Sequence, residues 1–176
     1  YITVGAAAAL CCVFHGLACP GDEFLVIAPY FPEYQVFIEG TGCSMKVVQP
    51  DPSTLQIDPV ALEAAITEHT KAVVVNSPTN PSGVVYTQDT LRAAADVLER
   101  KSRACGHPIY LVADEPYREI VFDGYSVSWL PHVYRDSIVC YSFSKSLSLP
   151  GERIGYVLVP PKAADSADLY AAVCGA

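Results

Sequence analysis

Residues 109–117 read "IYLVADEPY": five apolar residues, then aspartate, glutamate, proline and tyrosine. An unbroken apolar run of this length is the pattern of a strand covered on both faces, because a strand with one wet face alternates. Asp114 follows directly and so stands at the mouth of a sheet. A carboxylate there needs a cationic or protonated partner, since burying it unpaired is costly. Tyr117, three residues on, is within reach of the same place. Glu115, Arg118 and Glu119 read as a solvated or ion-paired helical turn.

Working outward, runs of the same kind recur as "YITV" (1–4), "FLVIA" (24–28), "KVVQ" (46–49), "AVVVN" (72–76), "IVCYS" (138–142) and "IGYVLV" (154–159). Helical patterns lie between them. "DPVALEAAIT" offers Asp58 as N-cap with Pro59 at the first helical position. "TQDTLRAAADVLERKSRAC" has Thr87 as cap, Leu91, Ala94, Ala95 and Leu98 on one face, and Gly106 as a stop. Strands alternating with helices predict parallel βαβ units, hence an α/β sandwich with helices on both faces. Ligands in such folds sit beyond the carboxyl ends of the strands.

The composition agrees. A chain of 176 residues, 51% hydrophobic and 17% charged, is long enough for one domain with a sizeable core. Its net charge of −8 argues against a nucleic-acid partner, while leaving room for a local positive pocket that takes a small anion. No apolar run is long enough to span a membrane, and "GAAAALCCVF" (5–14) lacks the basic flank of a leader. Seven cysteines without a CxxC or a grouping with the histidines read as reduced, buried thiols of a cytosolic protein, with no metal site. The chain opens on "YITVG" and closes on "SADLYAAVCGA", which reads as a segment of a longer protein.

The strand ends carry the chemistry. After the first run comes "GAAAAL": Gly5, Ala6 and Ala7 open a helix with bare backbone N–H groups, a phosphate cradle or simply close packing. After the second comes "PYFPEY", in which Phe31 is either a core residue or an aromatic plate at the ligand edge. "NSPTNPSG" (76–83) holds Asn80 in a stiff loop, as an ordinary turn or as a presented amide. In "YSFSKSLSLPGERIGY" (141–156), Ser142 and Lys145 stand at the end of the sixth run. Arg153 follows with a guanidinium suited to bidentate contact with a phosphate. Together these groups describe a ligand with a phosphate, a flat ring, a phenolic oxygen, a basic ring nitrogen and an aldehyde: pyridoxal 5′-phosphate.

"TVGAAAAL", "APYFPEY", "NSPTNPSG", "VADEPY" and "SFSKSLSLPGERIGY", in this order, resemble the large domain of fold-type-I pyridoxal-phosphate-dependent aminotransferases of class I/II, the aspartate-aminotransferase-like group. The resemblance implies a three-layer αβα sandwich on a mainly parallel seven-stranded sheet, with "IGYVLV" as the antiparallel strand. It implies that residues 1–176 are the PLP-binding large domain, without the N-terminal segment and the C-terminal small domain. It further implies that Lys145 forms the aldimine and shuttles the substrate proton, and that Asp114 pairs with the pyridine nitrogen. Asn80 and Tyr117 would bond the phenolic oxygen, and Phe31 would stack on the ring. The phosphate would be held by Gly5, Ala6 and Ala7 with Ser142 and Arg153. The family often has a hydroxyl residue in the first phosphate segment; "GAAAAL" offers main-chain donors only.

The activity so implied is transfer of an amino group from an amino acid to a 2-oxo acid, in a cytoplasmic homodimer. Two alternatives use the same fold: a carbon–sulfur β-lyase or similar elimination enzyme, and a regulatory module without turnover. Intact Lys145, Asp114 and Arg153 speak against the last.

Overall fold

The computed structural model describes residues 1–176. Each of the seven apolar runs is a strand of one sheet: β1 (Ile2–Thr3), β2 (Glu23–Ile27), β3 (Ser44–Val48), β4 (Thr70–Asn76), β5 (Tyr110–Asp114), β6 (Ser137–Ser142) and β7 (Gly155–Leu158). Their order across the sheet is β1-β7-β6-β5-β4-β2-β3. β2, β3, β4, β5 and β6 pair in parallel, whereas β7 runs antiparallel to both β6 and β1. The sheet is therefore mainly parallel with one reversed strand, as expected.

The strands read as continuous apolar runs because their alternate residues enter two different cores. Leu25, Ile27, Val73, Val75, Leu111, Ala113 and Val139 pack on one face, under α3 (Pro59–Ala65), α4 (Gln88–Cys105) and α5 (Leu130–Val133). Phe24, Val26, Ala72, Val74, Tyr110, Val112, Ile138 and Cys140 pack on the other, under α1 (Gly5–Leu17), α2 (Glu33–Glu39) and α7 (Ser166–Gly175). Each fully buried aliphatic side chain contributes roughly 1.5–3 kcal/mol, so the two layers supply most of the stabilisation.

The caps behave as their residue types require. Asp58 accepts hydrogen bonds from the N–H groups of Val60 and Ala61, and Thr87 from that of Thr90. Gly106 ends α4 in the left-handed conformation at φ 76°. α1 differs: its N-cap Val4 has no side-chain oxygen to offer, so the first-turn N–H groups face the strand ends uncapped. α7 closes onto α1 so tightly that a Cβ at Gly16 would lie 3.0 Å from the Val173 nitrogen.

Two expectations need correction. All seven cysteines are free, but only Cys43 and Cys140 are buried, and Cys19 is exposed. The segment after Asp114 is a turn and not a helix; of the two alternatives for its charges the ion-paired one holds, with Glu115 buried and paired with Arg118 at 2.6 Å.

Candidate active site

Four parallel strands deliver their ends to one edge of the sheet, and a cavity of about 350 Å³ opens there. Nine of the ten residues singled out from the sequence line it: Ala6, Ala7, Phe31, Asn80, Asp114, Tyr117, Ser142, Lys145 and Arg153. The tenth, Gly5, lies beneath Arg153. A Cβ at Gly5 would come within 2.8 Å of Arg153 Nη2, and its φ of +83° disfavours a side chain in any case.

One end of the cavity suits an anion. The uncapped start of α1 presents N–H groups and the positive end of the helix dipole. Arg153 stands over it, with Nη1 donating to the Pro150 carbonyl at 3.1 Å and reaching Ser144 Oγ at 3.5 Å. Arg153 itself holds φ +52°, a strained conformation for a non-glycine residue. Ser142 is buried and accepts from the Ser144 N–H at 3.2 Å, capping the short helix α6 (Phe143–Ser146).

The floor of the cavity is Asp114. It continues the Tyr110–Val112 face of β5 and therefore points toward α1 and α2. Tyr34 of α2 donates its hydroxyl to Asp114 Oδ2 at 2.5 Å, but Oδ1 has no partner although it is buried. Burial raises the carboxyl to about 6, against the Tyr34 hydrogen bond that lowers it; nearby Glu115 pushes it further up. Glu23, at the opposite end of the same sheet, shows what a fully partnered carboxylate looks like. Thr67 and Thr70 hydroxyls donate to it at 2.6 and 2.7 Å and Lys46 pairs with it; burial pushes its pKa up, but these contacts leave it lowered. Asp114 is thus a buried acceptor with a vacant lone pair aimed at the cavity end of the sheet.

Around the mouth stand Lys145, Tyr117 and Asn80. Lys145 is exposed, with Nζ 5.8 Å from the centre of the Tyr117 ring. The Asn80 backbone N–H donates to Asn76 Oδ1 at 2.6 Å, so Asn76 pins the loop that presents the Asn80 side chain. Phe31 meets the Tyr34 ring edge-on at 5.6 Å. Four cavity residues went unnamed in the sequence reading: Leu10, Pro116, Ser144 and Pro150. Tyr34 was also missed; only a helical reading of "EYQVFIE" would have turned it toward the sheet.

The whole chain but its last three residues, 1–173, matches the family described as aminotransferase class I and II. The chain is 36% identical over 160 residues to a probable aspartate/prephenate aminotransferase of Thermus aquaticus, covering 90% of this chain and 40% of that protein. It is 31% identical over 173 residues to human kynurenine–oxoglutarate transaminase 1, again 90% of this chain and 40% of the relative. Among solved structures it superposes on an amino transferase of Eubacterium rectale with a TM-score of 0.97 at 55% identity, covering 99% of this chain and 44% of the other. Aspartate aminotransferase of Thermus thermophilus gives 0.86 at 31%, covering 99% and 43%. The chain belongs to the class I and II aminotransferase family, and it spans about two fifths of the length of these relatives.

Members of this family depend on pyridoxal 5′-phosphate, and the orphaned Asp114 Oδ1 tests the fit. It is the group that a protonated pyridine nitrogen would satisfy, and the anion-suited end and the lysine stand at the same cavity.

Proposed function

We propose that the protein carrying this chain is a pyridoxal-phosphate-dependent aminotransferase that moves an amino group from an amino acid to a 2-oxo acid. The chain supplies its PLP-binding large domain. The observation that carries this reading is the half-partnered, buried Asp114 facing a cavity that also holds Lys145 and Arg153.

When bound, the cofactor supplies a carbonyl that captures amines and a conjugated ring that accepts electrons. Asp114 Oδ1 would hold a proton at the ring nitrogen. Asn80 and Tyr117 would donate to the phenolic oxygen, and Phe31 would cover the ring face. The α1 N–H groups of Gly5, Ala6 and Ala7, with Ser142 and Arg153, would bind the phosphate. Lys145, exposed and with its Nζ 5.8 Å from the centre of the Tyr117 ring, would move a proton at the substrate carbon.

The relatives named above are all aminotransferases, which favours transfer over the β-lyase alternative. Their donors differ, so the amino donor is a matter for a screen against 2-oxoglutarate. We also propose a homodimer, from the exposed apolar side chains beside the cavity, and a cytoplasmic setting, where seven unpaired thiols are at home. No helix is long and apolar enough to cross a membrane.

The test is direct. The protein loaded with cofactor should convert 2-oxoglutarate to glutamate only when an amino donor is present. Lys145→Ala should remove both that activity and the visible band of covalently held cofactor. Release of pyruvate and ammonia from the donor without any 2-oxo acid would sink the proposal in favour of elimination.

A further inference from the structure

We propose that Tyr141 is a positioning residue for Lys145, the centre of a hydrogen-bonded strap with Ser146 and Glu119 that fixes the lysine-bearing turn against the turn that carries Tyr117. The inference rests on the reading that Lys145 captures the cofactor's carbonyl.

Lys145 lies in α6, a helix of four residues. A single turn cannot hold itself, because nucleation costs more than one or two hydrogen bonds return. Its start is fastened by the Ser142 cap. The lysine gives no help: Nζ makes no hydrogen bond or ion pair, and its neighbour is the Tyr117 ring face. The far end is fastened elsewhere. Ser146 Oγ lies 2.7 Å from the Tyr141 hydroxyl, which in turn donates to Glu119 Oε2 at 2.8 Å. A carboxylate only accepts, so the order of donation is fixed: Ser146 to Tyr141, Tyr141 to Glu119. Hydrogen bonds chained this way reinforce one another.

The hub is rigid. The Tyr141 ring is buried, stacked on Tyr156 at 5.1 Å and met edge-on by Phe143 at 5.2 Å. It does not line the cavity, so it acts on the site only through what it holds. On one side it holds Ser146, next in sequence to Lys145. On the other it holds Glu119, two residues past Tyr117. The strap therefore sets the separation of the lysine amine and the Tyr117 phenol without touching either.

The experiment follows capture of pyridoxal 5′-phosphate by the chain. The amine and aldehyde condense with loss of water, and borohydride reduces the resulting C=N bond to a stable secondary amine. Peptide mass spectrometry then counts the adduct at Lys145 against time and cofactor concentration. Tyr141→Phe keeps the ring but removes both bonds. Its limiting capture rate should fall about five- to tenfold, while the half-saturating concentration stays within about twofold because the phosphate contacts are untouched. Ser146→Ala should fall likewise, and Ser146→Thr, which keeps the hydroxyl, should capture at the unaltered rate. Labelling of Lys46 and Lys71 at the far end of the sheet should not change in any variant. Unaltered capture rates in Tyr141→Phe and Ser146→Ala would overturn the inference. So would a loss in which the half-saturating concentration and the distant lysines shift together, since that marks general loosening. Absence of a Lys145 adduct in the unsubstituted chain would instead overturn the cofactor reading, and the strap's purpose with it.

Discussion

Asp114 shows how a single residue links stability to function. Its folded pKa of about 6 lies above the ordinary value of 3.8. The folded chain therefore binds more protons than the unfolded chain between these two values, and this group's contribution to stability is lost as pH rises through that window. By pH 7 the loss amounts to roughly 3 kcal/mol, at 1.4 kcal/mol for each pKa unit. Asp114→Asn should then raise the melting temperature of the cofactor-free chain at pH 7 by several degrees and leave it unchanged near pH 4. A thermal melt at both values checks this, and a loss of stability at pH 7 would contradict it. Tyr34→Phe acts in the opposite sense. It removes the hydrogen bond that holds the carboxyl down, leaving both buried oxygens without a donor, at a cost of about 1–3 kcal/mol. The Asp114 pKa should rise further, so the drop in stability, which starts near the same unfolded value, should extend to higher pH and become larger, which the same series of melts would reveal.

At the scale of elements, the junction of β1, α1, β6 and β7 limits what the site tolerates. Gly155 opens β7, paired with Thr3 on one side and Ser142 on the other. A Cβ there would run into the Tyr141 carbonyl and come within 2.8 Å of the Gly5 carbonyl carbon. All of these atoms are backbone and cannot step aside. Gly155→Ala should cost upwards of about 2 kcal/mol by overpacking, whereas Gly151→Ala, with open space around it, should be near neutral. Urea midpoints of the two variants decide the matter; equal midpoints would mean that the junction yields. Much at this scale was legible beforehand. The four central strands β2, β4, β5 and β6 announced themselves because both their faces are buried, β1, β3 and β7 by their apolar runs although they are partly exposed, and α3 and α4 because Asp58, Thr87 and Gly106 punctuate them. α2 was hidden: it spans seven residues, and its N-cap, Pro32, offers no side-chain hydrogen bond. With it went Tyr34, whose contact with Asp114 bridges 80 residues of sequence. The Tyr141 strap and the burial of Glu115 were equally out of reach, since nothing local in "YSFSKS" or "DEPYRE" specifies which carboxylate a hydroxyl or guanidinium will find.

For the molecule as a whole, several exposed apolar side chains gather beside the cavity. Ile2 is 71% exposed, Val4 66% and Leu147 59%, and Ile154 is exposed as well. They are neighbours by connection: Thr3 pairs with Gly155, and the Phe143 N–H, at the start of α6, donates to the Ile154 carbonyl. An apolar surface around an open sheet edge favours association, while a net charge of −8 on each copy opposes it. Salt weakens only the second effect, because the Debye length falls to about 3 Å at 1 M. Self-association of the chain should therefore strengthen as salt is added, which is the reverse of what ion pairing between copies would give. Sedimentation velocity across protein and salt concentrations measures it. Leu147→Lys with Ile154→Lys should shift the chain to monomer at all salt concentrations while leaving its melting temperature within a few degrees, because both side chains are exposed. A chain that is monomeric throughout would remove the support for a second copy at this face. Association that weakens with salt would assign it to charge instead.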